Sequence, residues 1–185
     1  MTNIEKKNFE DLFIHAEKLR NSGNLLESIK ILTKIYKKIP NNKAVSNSLA
    51  NCYFQLNKLD LAEKYYLICL KIDPINLQTL NNLSLLHLRN KNFNNALTTL
   101  HRSLEINNDQ ENIIEKIGYC LIQIKLYLDA NKFCKKYLKK YPNNSFLLEY
   151  YEKSCFSLGK NIEGLKTLQK QTGFIQFDED EVKLI

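Results

Sequence analysis

The sequence predicts an all-α fold in which five helical hairpins stack in a row as an α-solenoid. The first observation is the spacing of the prolines: Pro40 and Pro74 are 34 residues apart, and Pro142 follows after twice that distance. Small residues and turn residues recur with the same period. The chain also has only 5 glycines and 3 prolines in 185 residues, which leaves little of the turn chemistry that a β-rich fold needs.

A 34-residue frame divides the chain into repeats. At position 108, where the period calls for another proline, the sequence has Asn107, Asn108 and Asp109, which also favour a turn. The period therefore continues through the chain. The predicted organisation is a short polar segment, 1–8; five repeats, 9–42, 43–76, 77–110, 111–144 and 145–172; and a C-terminal capping tail, 173–185.

Each frame contains two amphipathic helices. Positions 4, 7, 8 and 11 of a frame fall on one face of a first helix, and positions 20, 24 and 27 fall on one face of a second. Small residues at positions 8 and 20 let the two backbones approach closely, and a single hairpin is too thin to bury its apolar face without neighbours. The small residues are Ala16, Ala50, Ser84 and Gly118 at position 8, and Ser28, Ala62, Ala96, Ala130 and Gly164 at position 20.

The helices are expected in the following order. First helices lie near 9–22, 43–56, 77–90, 111–124 and 145–158; second helices lie near 25–39, 59–72, 93–106, 127–140 and 161–172. The turns within the hairpins fall at Gly23, Asn57, Lys91, Lys125 and Gly159, where glycine and asparagine can take the left-handed conformation that ends a helix. Three residues that directly precede first helices are predicted to be N-caps: Asn42, Asn76 and Asn144.

With these frames in register, the chain resembles the tetratricopeptide repeat (TPR) family. The second frame carries the strongest resemblance, and the first and fifth frames depart most from the family pattern. The resemblance implies a right-handed superhelix and a protein-binding scaffold. The residues at signature places are Leu49, Ala50, Tyr53, Ala62, Tyr66, Cys69 and Pro74 in the second frame, Leu80, Leu83, Ala96 and Leu100 in the third, and Ile117, Gly118, Leu121, Ala130, Tyr137 and Pro142 in the fourth.

The resemblance also implies that first-helix positions 2, 5, 6, 9 and 12 line a concave groove. Amides at these positions both donate and accept hydrogen bonds, so they can bind the backbone of an extended peptide, and aromatic and leucine side chains can anchor it. The predicted partner is another protein or an extended peptide; the alternative is that these are ordinary solvated helix-surface residues. The candidate groove residues are Asn47, Asn51, Gln78, Asn81, Asn82, Leu85, Asn112, Lys116, Tyr119 and Tyr150, and Phe146 and Lys153 fall on the same positions.

Some TPR domains hold the C-terminal carboxylate of heat-shock chaperones with two asparagines, two lysines and an arginine. Asn51 and Asn82 fall on the asparagine positions. Lys116 replaces the arginine, however, and Asn47 and Asn112 replace the lysines. Because two of the three cations are missing, the sequence argues against such a carboxylate clamp.

Two other functions are alternatives to peptide binding. Lysines on the second helices form a basic face of the kind that attracts nucleic acid or anionic lipid, but no nucleic-acid motif accompanies them, and neither partner is expected. The runner-up function is a substrate-docking or regulatory module of a glycosyl- or sulfotransferase-type enzyme, because TPR arrays often precede catalytic domains. The lysines are Lys34, Lys37, Lys38, Lys132, Lys135, Lys136, Lys139 and Lys140.

No catalytic, metal-binding or cofactor-binding pattern is found, so the protein is not expected to be an enzyme. The three histidines lack metal-ligand spacing, and the five cysteines are scattered without a C-x-x-C pair, which fits small core residues in a reducing compartment. The first eight residues contain no signal-peptide apolar region, and no apolar run approaches the ~20 residues that span a bilayer. A cytoplasmic location is therefore expected.

The C-terminal tail combines apolar and acidic residues. Phe174, Ile175 and Phe177 are expected to cover the exposed face of the last hairpin, since terminal repeats need a cap. The alternative is that the acidic strip 178–181 folds back onto basic residues and competes with a partner.

Overall fold

A computed structural model describes the backbone of residues 3–173, 175–177 and 182–184, and the side chains of residues 8–173. Ten α-helices and two short strands form in this part of the chain. The helices are α1 (Asn3–Asn21), α2 (Leu25–Lys38), α3 (Lys43–Gln55), α4 (Leu59–Ile72), α5 (Leu77–Arg89), α6 (Phe93–Ile106), α7 (Glu111–Gln123), α8 (Tyr127–Tyr137), α9 (Ser145–Ser157) and α10 (Asn161–Thr172).

The predicted all-α fold of five hairpins is confirmed, with two differences in helix length. Helix α1 begins at Asn3, so most of the predicted polar segment 1–8 is helical. The 34-residue period locates the repeats, but it does not specify the residue at which the first helix begins. Helix α8 ends at Tyr137 instead of near residue 140. The amides of Lys140 and Tyr141 both bond the Tyr137 carbonyl, at 3.0 and 2.8 Å, and Pro142 disfavours helical backbone at the residue before it.

All five predicted turns within the hairpins adopt the left-handed conformation, with φ of 83° at Gly23, 58° at Asn57, 55° at Lys91, 60° at Lys125 and 73° at Gly159. The next amide bonds a carbonyl near the end of the first helix, as Lys58 does to Tyr53 at 2.9 Å. Lys91 and Lys125 adopt this conformation in spite of their Cβ atoms, because the tight turn between paired helices requires it.

The three predicted asparagine N-caps are also found. The side-chain oxygens of Asn42, Asn76 and Asn144 accept hydrogen bonds from backbone amides three residues later, at 3.0, 2.9 and 2.9 Å. The equivalent residue of the fourth repeat is Gln110, whose longer side chain does not cap α7 and donates instead to the Ser103 carbonyl at 3.0 Å.

The structure divides into two compact units, Met1–Asn92 and Phe93–Ile185, and each is described separately. The N-terminal unit contains α1 to α5, and its small residues at positions 8 and 20 are buried as predicted. Larger side chains fill the space beside these close helix contacts. Fully buried side chains here include Leu32, Leu49, Tyr66, Leu80 and Leu86.

The C-terminal unit contains α6 to α10 and the same kind of core. Gly118, Ala130 and Gly164 lie at the close helix contacts, and the surrounding buried side chains include Leu100, Ile113, Ile117, Cys134 and Leu147. All five cysteines of the chain are free and buried, which confirms their prediction as core residues. No helix among residues 3–173 is both long enough and apolar enough to cross a membrane.

After α10, Gly173 takes a left-handed conformation with φ of 69° and ends the helix. Two strands, β1 (Ile175–Phe177) and β2 (Val182–Leu184), then pair in an antiparallel hairpin in which Ile175 is opposite Leu184. The sequence did not predict this hairpin. Phe174, the side chains of Ile175 and Phe177, and the acidic strip 178–181 lie outside the described residues, so capping by the tail stays a prediction.

Candidate functional site

A polar cleft of about 390 Å³ lies in the N-terminal unit. Helices α1, α3 and α5, the first helices of their hairpins, supply most of its wall. Three predicted groove residues, Asn47, Asn51 and Gln78, line it, and Gln78 is exposed. The other lining residues are Phe13, Glu17, Arg20, Lys43, Ala44, Ser48, Cys69, Asn76 and Thr79.

Asn51 is fixed by hydrogen bonds at the edge of this cleft. Its side-chain carbonyl accepts from the Tyr66 hydroxyl at 2.6 Å and from Nδ2 of Asn82 at 3.0 Å. Tyr66 is completely buried, and this burial raises the pKa of its hydroxyl, so the hydroxyl stays protonated and acts as a donor. Two predicted groove residues are thus bonded directly to one another.

Both cations of the cleft are paired with carboxylates. Arg20 donates two hydrogen bonds to Glu17, at 3.2 and 2.8 Å, and Lys43 lies 2.8 Å from Asp73. The Lys43 ammonium and the Asn76 amide hold the pKa of Asp73 below its usual value, so this carboxylate is ionised at neutral pH. The cleft therefore offers polar groups without an uncompensated positive charge.

The remaining predicted residues of the N-terminal unit are outside the cleft lining. Asn81 is half-buried on α5, where its backbone carbonyl accepts from the Ser84 hydroxyl at 2.7 Å. Leu85 lies one turn later on the same helix and is 40% exposed. It offers apolar area to water, as an anchor residue would.

In the C-terminal unit, aromatic side chains from α6, α7 and α9 form a row, Phe93, Tyr119, Tyr150 and Phe146. Ring centroids are 5.8 Å apart for Phe93–Tyr119, 6.3 Å for Tyr119–Tyr150 and 6.5 Å for Phe146–Tyr150. Tyr119 is 37% exposed and Phe146 is 50% exposed. Tyr150 is half-buried, and its burial raises the pKa of its hydroxyl to about 12.

Two further predicted residues of this unit lie on α7. The Lys116 ammonium donates to the backbone carbonyl of Asn112 at 3.1 Å. This bond does not use the side-chain amide of Asn112, which is an exposed residue. Burial lowers the pKa of Lys116, while the nearby Glu115 opposes this effect.

The predicted set omitted three residues that line the cleft. Phe13, Glu17 and Arg20 line the cleft, and they occupy positions 5, 9 and 12 of the first frame. The rule that selected Asn47 and Asn51 therefore also selects them. Phe146, at position 2 of the fifth frame, was predicted for the groove and belongs to the aromatic row. The weak signature of the first frame made these three residues less evident.

Comparison with known proteins identifies the repeat. A family model described as tetratricopeptide repeat matches residues 45–76, and no curated protein matches the chain. A crystal structure of MamA protein superposes with a TM-score of 0.80 at 16% identity, covering 91% of this chain and 92% of that one. Another MamA structure, from AMB-1, gives 0.77 at 18% identity, covering 93% and 92%.

A tetratricopeptide repeat protein from Parabacteroides merdae ATCC 43184 gives a TM-score of 0.65 at 20% identity, covering 88% of this chain and 64% of that one. At these identities the likeness shows the fold alone. The hairpins place the molecule among all-α helical-repeat proteins. Residues 45–76 match the tetratricopeptide repeat, and the chain shares its fold with a solved tetratricopeptide repeat protein.

Proposed function

We propose that this protein is a non-catalytic scaffold that binds another polypeptide on the faces of its first helices. The observation that carries the proposal is the aromatic row of the C-terminal unit. Phe146 and Tyr119 leave much of their rings in water although neighbouring rings support them. Aromatic side chains held in this way lose little conformational entropy when a partner covers them, and such residues dominate binding energies.

The cleft of the N-terminal unit supports the same proposal. Its amides come from successive first helices, and amide side chains suit the alternating donors and acceptors of an extended peptide backbone. The Cys69 thiol at the cleft is buried, and this burial raises its pKa and keeps it protonated at neutral pH.

The test is a peptide-display selection against the full chain, followed by fluorescence anisotropy on the selected peptides. Tyr119→Ala and Phe146→Ala are expected to weaken binding about 5- to 30-fold, as loss of a hot-spot side chain does. The matched control is Leu128→Ala on α8, which removes a side chain that is 53% exposed on a second helix and should leave the affinity unchanged.

The cleft is tested in the same assay with Gln78→Ala, and the exposed Leu67→Ala on α4 is its control. Asn51→Ala is less suitable because it also removes the acceptor of the buried Tyr66 hydroxyl. Peptides that bind all first-helix variants normally would refute the proposal. If the same peptides also lost affinity steeply with salt, the basic second-helix face would be the binding surface.

A further inference from the structure

The first helices of the C-terminal unit that carry the aromatic row are acidic, although the chain as a whole has a formal charge of +7. Helices α7 and α9 each contain two glutamates and one lysine. The second helices differ, since α8 contains three lysines and one aspartate, and α10 contains two lysines and one glutamate. A positively charged ligand group is therefore favoured on the face of α7 and α9 over a negative one.

Glu115 is the carboxylate closest in sequence to the exposed Tyr119 ring. It is half-buried on α7 one turn before Tyr119, and residues four apart lie on the same face of a helix. Burial raises the pKa of the Tyr150 hydroxyl, and the charges of Glu149 and Glu115 add to this effect. Glu115 therefore lies beside both tyrosine rings of the row.

Glu115 has no cationic partner among residues 8–173. Its Oε1 atom accepts a hydrogen bond from Nδ2 of Asn144 at 2.6 Å, and the same amide nitrogen donates to Glu111 at 2.7 Å. An amide is neutral, and none of the ion pairs among these residues includes Glu115. A half-buried carboxylate without a counter-ion attracts a cation more strongly than a fully solvated one does.

The two lysines of α7 and α9 have other partners. The Lys153 ammonium lies 2.6 Å from the Glu149 carboxylate, and the Lys116 ammonium donates to the backbone carbonyl of Asn112 at 3.1 Å. Both contacts join residues one turn apart in the same helix. Neither lysine forms an ion pair with Glu115, so a ligand can supply its counter-ion.

The rings supply the other half of a cation site. Tyr119 is 37% exposed and Phe146 is 50% exposed, and the half-buried Tyr150 ring lies between them. The face of an aromatic ring is electrostatically negative, so it attracts a guanidinium or ammonium group placed over it. Arginine and lysine also have long aliphatic stems, which can cover a neighbouring ring while the charged end stays at the carboxylate.

We propose that the aromatic row binds an arginine or lysine side chain of the partner polypeptide. The cationic group lies between the Tyr119 ring and the Glu115 carboxylate, and the aliphatic stem packs on Phe146. This inference rests on the proposed function and states which side-chain chemistry the row selects.

The test begins with peptides selected from a random library on the full chain. Those that lose affinity for Tyr119→Ala are expected to contain an arginine or lysine whose replacement by norleucine, an uncharged residue with a similar stem, weakens binding about tenfold in fluorescence anisotropy. Peptides that depend on Tyr119 but contain neither residue, or that tolerate norleucine, would overturn the inference. The proposed function would still stand, because those peptides bind the row. Failure to select any peptide that depends on a first-helix residue would refute both.

A charge-neutral variant tests the carboxylate. Glu115→Gln keeps an oxygen that can accept from Asn144 but removes the charge, so the cost of the norleucine replacement should fall from about tenfold to about twofold. The matched control is Glu105→Gln, which removes the same charge from an exposed position on the second helix α6 and should leave that cost unchanged. A norleucine cost that is the same in both variants would show that Glu115 does not contact the cation.

Two substitutions of Tyr119 test the ring. Tyr119→Phe keeps the aromatic face and should retain the affinity, whereas Tyr119→Leu keeps an apolar side chain without that face and should weaken binding of the cationic peptide about fivefold. Circular dichroism checks that both variants are folded. Equal affinities for the two variants would refute the role of the ring face.

Discussion

The hydrogen bond between Tyr66 and Asn51 makes a quantitative prediction about stability. Tyr66 is completely buried, and its hydroxyl lies 2.6 Å from the Asn51 carbonyl. Asn51→Ala leaves this hydroxyl without an acceptor, which should cost about 1–3 kcal/mol of unfolding free energy. Tyr66→Phe removes the donor instead and leaves Asn51 bonded to Asn82, so about 1 kcal/mol is expected.

The double variant should then lose less than the sum of the two, because no buried hydroxyl remains to be desolvated. The coupling is expected to be about 1–2 kcal/mol, measured by urea unfolding followed by circular dichroism at pH 7. Tyr65→Phe is the control, since Tyr65 is half-buried against the Tyr53 ring and its hydroxyl should contribute less than ~0.5 kcal/mol. Effects that add to within ~0.3 kcal/mol would show that the bond does not stabilise the fold.

The other predictions concern caps, turns and pH. Asn42→Ala removes the N-cap of α3 and should lower the unfolding free energy by about 1 kcal/mol, whereas Asn42→Asp should retain it; equal losses in urea unfolding would contradict the capping role. Lys91→Gly and Lys125→Gly should each stabilise the protein by about 0.5–1 kcal/mol, because both lysines hold a positive φ, and a lower melting temperature for either variant would refute the strain. Burial lowers the pKa of His87, with Glu63 opposing it, so the unfolded chain takes up a proton at higher pH than the folded chain does. Stability should therefore fall as pH drops from 7 to 5, and His87→Gln should flatten that part of the melting-temperature profile; an unchanged slope would exclude His87 as its source.

Much of the fold is predictable because a repeat protein is built from contacts between neighbours in sequence. The 34-residue period located the hairpins, and Asn42, Asn76 and Asn144 cap helices where they were expected to. These features depend on local backbone geometry, which residue type and spacing specify directly. The predicted end of α8 was wrong because the helical pattern of the sequence continues to residue 140, whereas the helix ends in a turn before Pro142.

The candidate site was predictable only in part. The resemblance to the tetratricopeptide repeat implied groove positions for Asn47, Asn51 and Gln78, and these three residues line the cleft. It did not show that Asn51 and Asn82 bond each other, because that contact joins different repeats and depends on side-chain rotamers. Nor did it show the row of rings around Tyr150.

The sequence by itself determined the repeat, the hairpins, their caps and the side of each helix that packs into the core, because all of these follow from a short period and local conformational preferences. Only the tertiary structure decided the hydrogen bonds of the Asn51 amide and the pairing of Lys43 with Asp73. Hydrogen-bond direction and charge compensation depend on which side chains meet across 15 to 31 residues of chain, and the spacing of residue types does not specify that.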